Sequence, residues 1–321
     1  MRRRIAIYFS WNRAAEEAAR LGVLENRFPA LFEARRLRWP EFESLKDPAH
    51  FDQGISGYLQ HVFMENFQLF PQLAQTWTGH AVPILHRHSA AGEVLLDEKL
   101  LSQLDTLIVI SFDSQSTQQV AMPAEIAAIR AFLEDSTHAV FVCPHHDIGY
   151  AEAVGGQELL DLQVKEHNHH GDSGVPAQQR FGGFALSLMA GLGLPIRNRF
   201  GLRPARETDG SASPVEVVSR DVFGILTGIS ALNLHPHLPH FERLGQSVQG
   251  LEVLVRQPID MTASPHPFTS GGRKDFDAML QATREAIPGC LVVADATLWN
   301  AVSGPRDTLE KLWRNVALGE W

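Results

Sequence analysis

Five short apolar runs along the chain predict buried β-strands. They are residues 4–10, 81–86, 106–112, 139–143 and 290–294. Several of these runs are apolar on both faces rather than alternating, which is what a parallel sheet covered by helices on both sides requires. Two further runs, residues 215–219 and 251–255, are expected to extend the sheet.

Helical spacing of apolar residues marks several segments between the predicted strands. The predicted helices are residues 13–24, 54–76, 123–134, 183–192, 276–286 and 308–317. Because strands alternate with helices, we expect one α/β domain over residues 1–321, with a doubly wound, mostly parallel sheet and helices on both faces. Residues 147–214 are otherwise irregular, which predicts a functional or mobile stretch.

Polar, chemically capable side chains follow every one of the five strands. In open parallel sheets, ligands bind beyond the carboxyl ends of the strands. The side chains in these positions include Asn12, His86, Asp113, His145 and Asp295. We therefore predict a shared polar rim that forms the functional site.

The end of the fourth strand carries a thiol, two imidazoles and a carboxylate within residues 143–147. One hypothesis is a divalent metal ion bound by His145, His146 and Asp147, since imidazole and carboxylate suit zinc, manganese, iron or nickel. Another is a nucleophilic Cys143 with a nearby histidine as base. The third makes Cys143 a buried, inert side chain and the histidines polar loop residues.

A second cluster, residues 166–172, holds five potential metal ligands: Glu166, His167, His169, His170 and Asp172. In an extended segment, His167 and His169 would lie on one side, and His170 and Asp172 on the other. A mononuclear metal site could therefore take two of them. The alternative is a solvated polar loop.

A third cluster consists of His235, His237 and His240, and Pro236 stiffens the segment between them. This pattern is equally typical of a positioned imidazole and of a surface loop. The histidines on either side of Arg87 favour hydrogen bonding or an anion contact over a metal site.

Composition narrows the classes of protein that fit. The 321 residues include 28 basic and 37 acidic side chains, and this net charge of −9 argues against a nucleic-acid-binding surface. At 44% hydrophobic residues the chain can bury a core, and 2 cysteines are too few for a secreted scaffold held together by disulfides.

Neither a signal peptide nor a membrane span is recognisable, so we expect a cytoplasmic protein. Dinucleotide, Walker A and Gly-x-Ser-x-Gly motifs are absent.

The second half of the chain carries a family resemblance. The helical motif EIAAIRAFL at residues 125–133 precedes the strand AVFVC, which leads into histidines, and CLVVADATLWN precedes LEKLWRNVALGEW near the end. This arrangement resembles the class I glutamine-amidotransferase-like superfamily over residues 100–321, and within it the branch typified by trehalose-utilisation proteins. The resemblance implies a flavodoxin-like α/β sandwich.

Two departures from that superfamily bear on activity. Glutamine amidotransferases carry a nucleophilic cysteine in a Gly-flanked elbow and a downstream His-x-Glu pair. Here Cys143 is followed by Pro144, which has no N–H to offer to an oxyanion hole, and no such pair follows. Glutaminase activity is therefore not expected. Residues 25–76 have no counterpart in the superfamily and are predicted to form a helical insertion, either a lid or a contact in a homo-oligomer.

Together these observations favour a metal-dependent hydrolase that acts on a small polar substrate, with no nucleic-acid or membrane partner. One divalent ion, preferably zinc, would lower the pKa of a bound water. The predicted metal ligands are His145, His146 and Asp147 from one cluster and His167, His169 and His170 from the other. The candidate general bases are Asp113, Glu166 and Asp172. Analogy with the superfamily suggests an amide or another C–N bond as the target.

Two alternatives stay open from the sequence. One is a cysteine hydrolase or transferase that uses Cys143 with His145 or His146. The other is a non-catalytic metabolite-binding protein of the same fold.

Overall fold

The computed structural model of the protein describes residues 2–14, 59, 63–89, 92–113, 119–145, 182–262 and 267–319. Most of the predicted helix 13–24 and most of the predicted insertion 25–76 lie outside these ranges. So do residues 146–181, which hold the second histidine cluster.

Twelve strands are found in the described residues. They are β1 (Ile5–Phe9), β2 (Ile84–His86), β3 (His88–Ser89), β4 (Gly92–Glu93), β5 (Thr106–Ser111), β6 (Ala139–Pro144), β7 (Ile196–Leu202), β8 (Glu216–Val217), β9 (Leu238–Arg243), β10 (Leu251–Pro258), β11 (Asp275–Ala282) and β12 (Cys290–Ala294). Eight of them form one sheet in the order β2-β1-β5-β6-β12-β11-β10-β8.

The five strands predicted from the apolar runs form the parallel part of this sheet. Strands β2, β1, β5, β6 and β12 pair in parallel, each with its neighbour in that order. Counted along the chain, the order is second, first, third, fourth, fifth, which is the flavodoxin-like arrangement. The prediction of a doubly wound, mostly parallel sheet is therefore confirmed. Strands β11, β10 and β8 extend it in antiparallel fashion.

The helices pack against both faces of the sheet. They are α1 (Leu69–Thr78), α2 (Glu98–Leu101), α3 (Pro123–Leu133), α4 (Gly183–Gly191), α5 (Ser247–Gly250), α6 (Pro267–Ser270) and α7 (Arg306–Leu318), with 3-10 helices at Met64–Phe67 and Ala296–Trp299. Alternate residues of β1 point to opposite faces. Ile7 packs in the apolar cluster that includes α1 and α7, whereas Tyr8 packs in the cluster that includes α3 and α4.

One predicted helix is wrong. Residues 276–286 have apolar side chains at helical spacing, but the structure shows strand β11 over Asp275–Ala282. This strand lies inside the sheet between β10 and β12. A strand that is covered on both faces loses the alternating pattern that would identify it, so its apolar residues imitate a helix.

A second, smaller sheet was not expected from the sequence. Strands β7 and β9 pair antiparallel beside the main sheet, with a register shift between Arg199 and Leu202. Phe200 lies at this irregularity with a φ angle of 66°. Strand β7 falls in the stretch predicted to be irregular, and β9 includes His240, so part of the third histidine cluster is strand rather than loop.

Arg3 ties the start of the chain to three other segments. Its guanidinium is buried and donates to the Thr106 hydroxyl, to the carbonyl oxygens of Asp105 and Thr137, and to that of Gly319. These bonds join β1, β5, the turn before β6 and the residue after α7. Within the described part of the chain, no helix is long and apolar enough to cross a membrane.

Candidate functional site

The candidate site lies where the neighbouring strands β6 and β12 end. The two strands pair in parallel, so the residues that follow them come out at the same edge of the sheet. His145 follows β6, and Asp295 follows β12. The Nδ1 atom of His145 lies 3.4 Å from Oδ2 of Asp295, an ion-pair distance that is long for a hydrogen bond.

Asp295 is a buried carboxylate whose two oxygens have different surroundings. The residue is 3% exposed. Its Oδ1 accepts hydrogen bonds from the backbone N–H and the hydroxyl of Thr297. Asp295 thereby caps the N-terminus of the short helix Ala296–Trp299. Its Oδ2 accepts no hydrogen bond from the described residues and faces His145.

The charge of Asp295 depends on the imidazoles beside it. Burial alone would raise the pKa of this carboxyl. The contact with His145 and the positive charges that His145 and His235 carry when protonated outweigh burial, and the pKa of Asp295 lies below its usual value. The carboxylate is therefore ionised at neutral pH and places a buried negative charge at the site.

His235 from the third cluster comes to the same place. Its ring centre lies 5.6 Å from that of His145, and the two ring planes are inclined at 57°. His237 continues along the same loop, with its ring centre 6.1 Å from that of His235. The segment predicted as either a positioned imidazole or a surface loop thus contributes one half-buried imidazole to the site.

Packing and backbone contacts fix the position of His145. The ring meets the edge of Phe112, with 5.1 Å between ring centres. The backbone N–H of His145 donates to the carbonyl of Ser111 on β5, and its own carbonyl accepts a hydrogen bond from the Asn198 side chain. Just before it, Pro144 packs against Gly182 so closely that a Cβ there would lie 2.7 Å from the Cβ of Pro144.

Asp113, predicted as a candidate general base, has a structural environment. Its Oδ1 accepts from the Ser10 and Ser111 hydroxyls, and its Oδ2 accepts from the backbone N–H of Phe184 in the first turn of α4. The side chain is fully buried, and burial raises its pKa even though these hydrogen bonds act in the opposite direction. Both oxygens thus accept structural hydrogen bonds, Oδ1 from two serine hydroxyls and Oδ2 from the first turn of α4, which argues against a role as base.

Cys143, the candidate nucleophile, is fully buried in β6. Its Sγ accepts a hydrogen bond from the indole N–H of Trp299 at 3.1 Å. Burial raises the pKa of the thiol, although this hydrogen bond lowers it in part. A protonated, inaccessible thiol is a poor nucleophile, and the geometry therefore favours the inert interpretation of Cys143.

Arg87 and His240, two further polar positions considered from the sequence, have buried partners of their own. Arg87 is buried and contacts the Glu125 carboxylate at 2.5 Å and the Tyr8 hydroxyl at 3.1 Å, so its charge is neutralised inside the protein. His240 packs against Phe268, with 5.0 Å between ring centres, and its Nδ1 accepts the backbone N–H of Asp277.

A small pocket adjoins Asp295 on the side of the β7–β9 sheet. Its polar lining comes from Asn233, Gln257 and Asp295, and its apolar walls include Leu238, Phe276 and Leu298. The space enclosed by these side chains has room for about one water molecule.

Seven predicted site residues lie outside the described part of the chain: His146, Asp147, Glu166, His167, His169, His170 and Asp172. Within the described ranges, no group of three or more His, Cys, Asp or Glu side chains is arranged to hold a metal ion. Two histidines and one carboxylate of the site are described by the structure: His145, His235 and Asp295.

From the sequence, Asp295 was placed on the predicted polar rim without a role, and His235 was left between a positioned imidazole and a surface loop. Asp295 carried a usable signal, since it directly follows a predicted strand. His235 carried little signal in the sequence, because its approach to His145 depends on how residues 233–237 pack against the sheet.

No protein-family model matches this sequence, and no curated protein matches it at a significant level.

Proposed function

We propose that this chain is a metal-dependent hydrolase that acts on a small polar substrate at the carboxyl edge of the sheet. The observation that carries the proposal is the contact between the His145 imidazole and the buried, ionised Asp295. A histidine whose Nδ1 faces a carboxylate directs Nε2 away from it. This is the arrangement of metal-ligating histidines, whose second nitrogen is held by an outer carboxylate.

In this proposal each residue has a defined task. Asp295 holds the His145 ring and its tautomer, and Nε2 of His145 contributes one ligand to the ion. A divalent ion bound at this position would supply a water of lowered pKa. The substrate would reach the ion from the carboxyl edge of the sheet, because the pocket beside Asp295 has room for only about one water molecule. Cleavage of an amide or another C–N bond rests on the superfamily resemblance alone.

The metal content of protein purified without an affinity tag tests the proposal. We expect about one zinc ion per chain, and we expect Asp295→Asn to weaken zinc binding roughly 10–100-fold, as loss of outer-shell partners does elsewhere. Asp209→Asn, a change in an exposed turn, is the matched control. Wild-type protein that binds no stoichiometric metal, and whose stability is unchanged by a chelator, would contradict the proposal.

A further inference from the structure

We propose that helix α6 (Pro267–Ser270) is a lid that opens as the pH falls, and that His240 is the residue that keeps it closed. The lid packs on an apolar cluster, and two members of that cluster, Leu238 and Phe276, also form part of the wall of the pocket beside Asp295. This inference concerns the β7–β9 side of the molecule and does not rest on the proposed function.

Phe268 is the side chain through which α6 joins the apolar cluster. The buried members of this cluster are Leu202, Leu238, Ile259, Phe268 and Phe276. The centre of the Phe268 ring lies 5.0 Å from that of His240 on β9 and 4.8 Å from that of Phe200 on β7. The Arg273 guanidinium lies over the same ring at 4.3 Å. The closed position of α6 therefore depends on a compact set of ring contacts around His240.

His240 joins these rings to the main sheet through one hydrogen bond. Its Nδ1 accepts the backbone N–H of Asp277 on β11 at 3.2 Å. The bond requires an imidazole without a proton on Nδ1, because a protonated ring is a donor at both nitrogens. Proton uptake therefore turns the acceptor into a donor that faces the Asp277 N–H, and it places a positive charge among buried rings.

Burial keeps the ring neutral while the lid is closed. The described charged side chains around it are Arg199 on β7, Glu242 and Arg243 on β9, Arg273 after α6, and Asp277 on β11. Burial, together with the charges of Arg273 and Arg243, lowers the pKa of His240 to about 4, although the two carboxylates act in the opposite direction. A ring exposed by opening takes up a proton near pH 6.5. Between pH 6.5 and pH 4 the open state therefore binds more protons than the closed state, and a fall in pH favours opening.

Two glycines directly after α6 give the lid a hinge. In the described part of the chain, the space that a Cβ would occupy at Gly271 or Gly272 is open, and the φ angle of Gly272 is 85°. Glycine adopts such angles without steric cost, so the backbone can change direction here. On the opposite side of the Phe268 ring, Phe200 has a φ angle of 66°, which a residue with a side chain keeps only where packing fixes it.

Hydrogen exchange of the Asp277 amide tests the lid on the full chain, because this N–H is the one bonded to His240. Asp277 also lies between Phe276 and Ala278, which both line the pocket beside Asp295. After correction for the intrinsic effect of pH on exchange, the protection of this amide in wild type should fall about 20-fold between pH 7 and pH 5. At both pH values it should be lower than the protection of the β5 amides, which exchange when the whole molecule unfolds.

Two variants separate the role of His240 from other effects of pH. The side-chain oxygen of His240→Asn can accept the Asp277 N–H but does not titrate, so the protection of that amide should fall about 3-fold or less. His138→Asn is the matched control, because His138 is also half-buried and stacks on a phenylalanine, Phe132. It should behave like wild type.

A third variant carries the test if His240→Asn does not fold. Phe268→Leu loses ring contacts and keeps His240, so exchange of the Asp277 amide at pH 7 should become about 3- to 10-fold faster.

Three results would overturn the lid. An Asp277 amide as well protected as the β5 amides would show that α6 separates only when the whole molecule unfolds. Protection that does not fall with pH in wild type, or that falls equally in His240→Asn, would remove the role of His240. Unchanged exchange in Phe268→Leu would show that the Phe268 contacts do not hold α6 in place.

Discussion

The buried histidine His240 should make the protein sensitive to mild acid. It is 6% exposed, and its Nδ1 accepts the backbone N–H of Asp277 on β11, which requires the neutral ring. Burial lowers the pKa of His240 to about 4, although the nearby Asp277 carboxylate acts in the opposite direction. In the unfolded chain the same imidazole takes up a proton near pH 6.5.

The sign and size of the effect follow from this difference. Between pH 6.5 and pH 4 the unfolded state binds more protons than the folded state, so the free energy of unfolding falls as the pH falls. The full difference of about 2.5 pH units corresponds to about 3.4 kcal/mol. Between pH 7 and pH 5, His240 should account for about 2 kcal/mol of lost stability.

Urea unfolding at pH 7 and pH 5 measures this loss. His240→Asn removes the titrating ring and keeps an oxygen close to the position of Nδ1. Its loss of stability between the two pH values should be about 2 kcal/mol smaller than that of wild type. His80→Asn, at an exposed position, controls for the substitution itself. Equal losses in wild type and His240→Asn would refute the assignment of acid sensitivity to this histidine.

Three further predictions concern residues that shape the fold and the site. Arg3→Ala should cost about 2–4 kcal/mol in urea unfolding, because buried acceptors lose their donor, whereas Arg4→Ala, at the surface, should cost about 1 kcal/mol or less. Gly182→Ala should cost about 1–3 kcal/mol, because its φ is 77° and the new methyl group would overlap Pro144. Iodoacetamide should label Cys143 only after unfolding, as peptide mapping would show; rapid labelling of folded protein would revive the cysteine mechanism.

The parallel strands were the part of the fold that local pattern could predict. Strands β1, β5, β6 and β12 are buried on both faces and form uninterrupted apolar runs, which few other structures produce. The same property misled the prediction at β11, where the apolar spacing also fits a helix. Strand β7 was missed because polar Arg197 and Arg199 interrupt its apolar residues, and its pairing with β9 joins segments distant in sequence.

The candidate site was predictable only as far as single strand ends go. His145 follows a recognisable strand, and parallel pairing explains why such ends meet at one edge. The partnership of His145 with Asp295 requires that β6 and β12 be neighbours, although about half the chain separates them in sequence. The position of His235 depends on Asn233, which accepts the His235 backbone N–H and donates to the Thr297 hydroxyl on another segment, and no local pattern records that second bond.

Asp113 and Asp295 show why a polar strand end does not by itself define a functional residue. Both are carboxylates that follow parallel strands of one sheet, and both are buried. Asp113 is surrounded by neutral hydroxyl and amide donors, burial dominates, and its pKa is raised. Asp295 lies beside the His145 imidazole, and the interactions with His145, His235 and Thr297 together outweigh burial, so its pKa is lowered. The first carboxylate therefore anchors a helix, whereas the second keeps a buried negative charge next to the His145 imidazole.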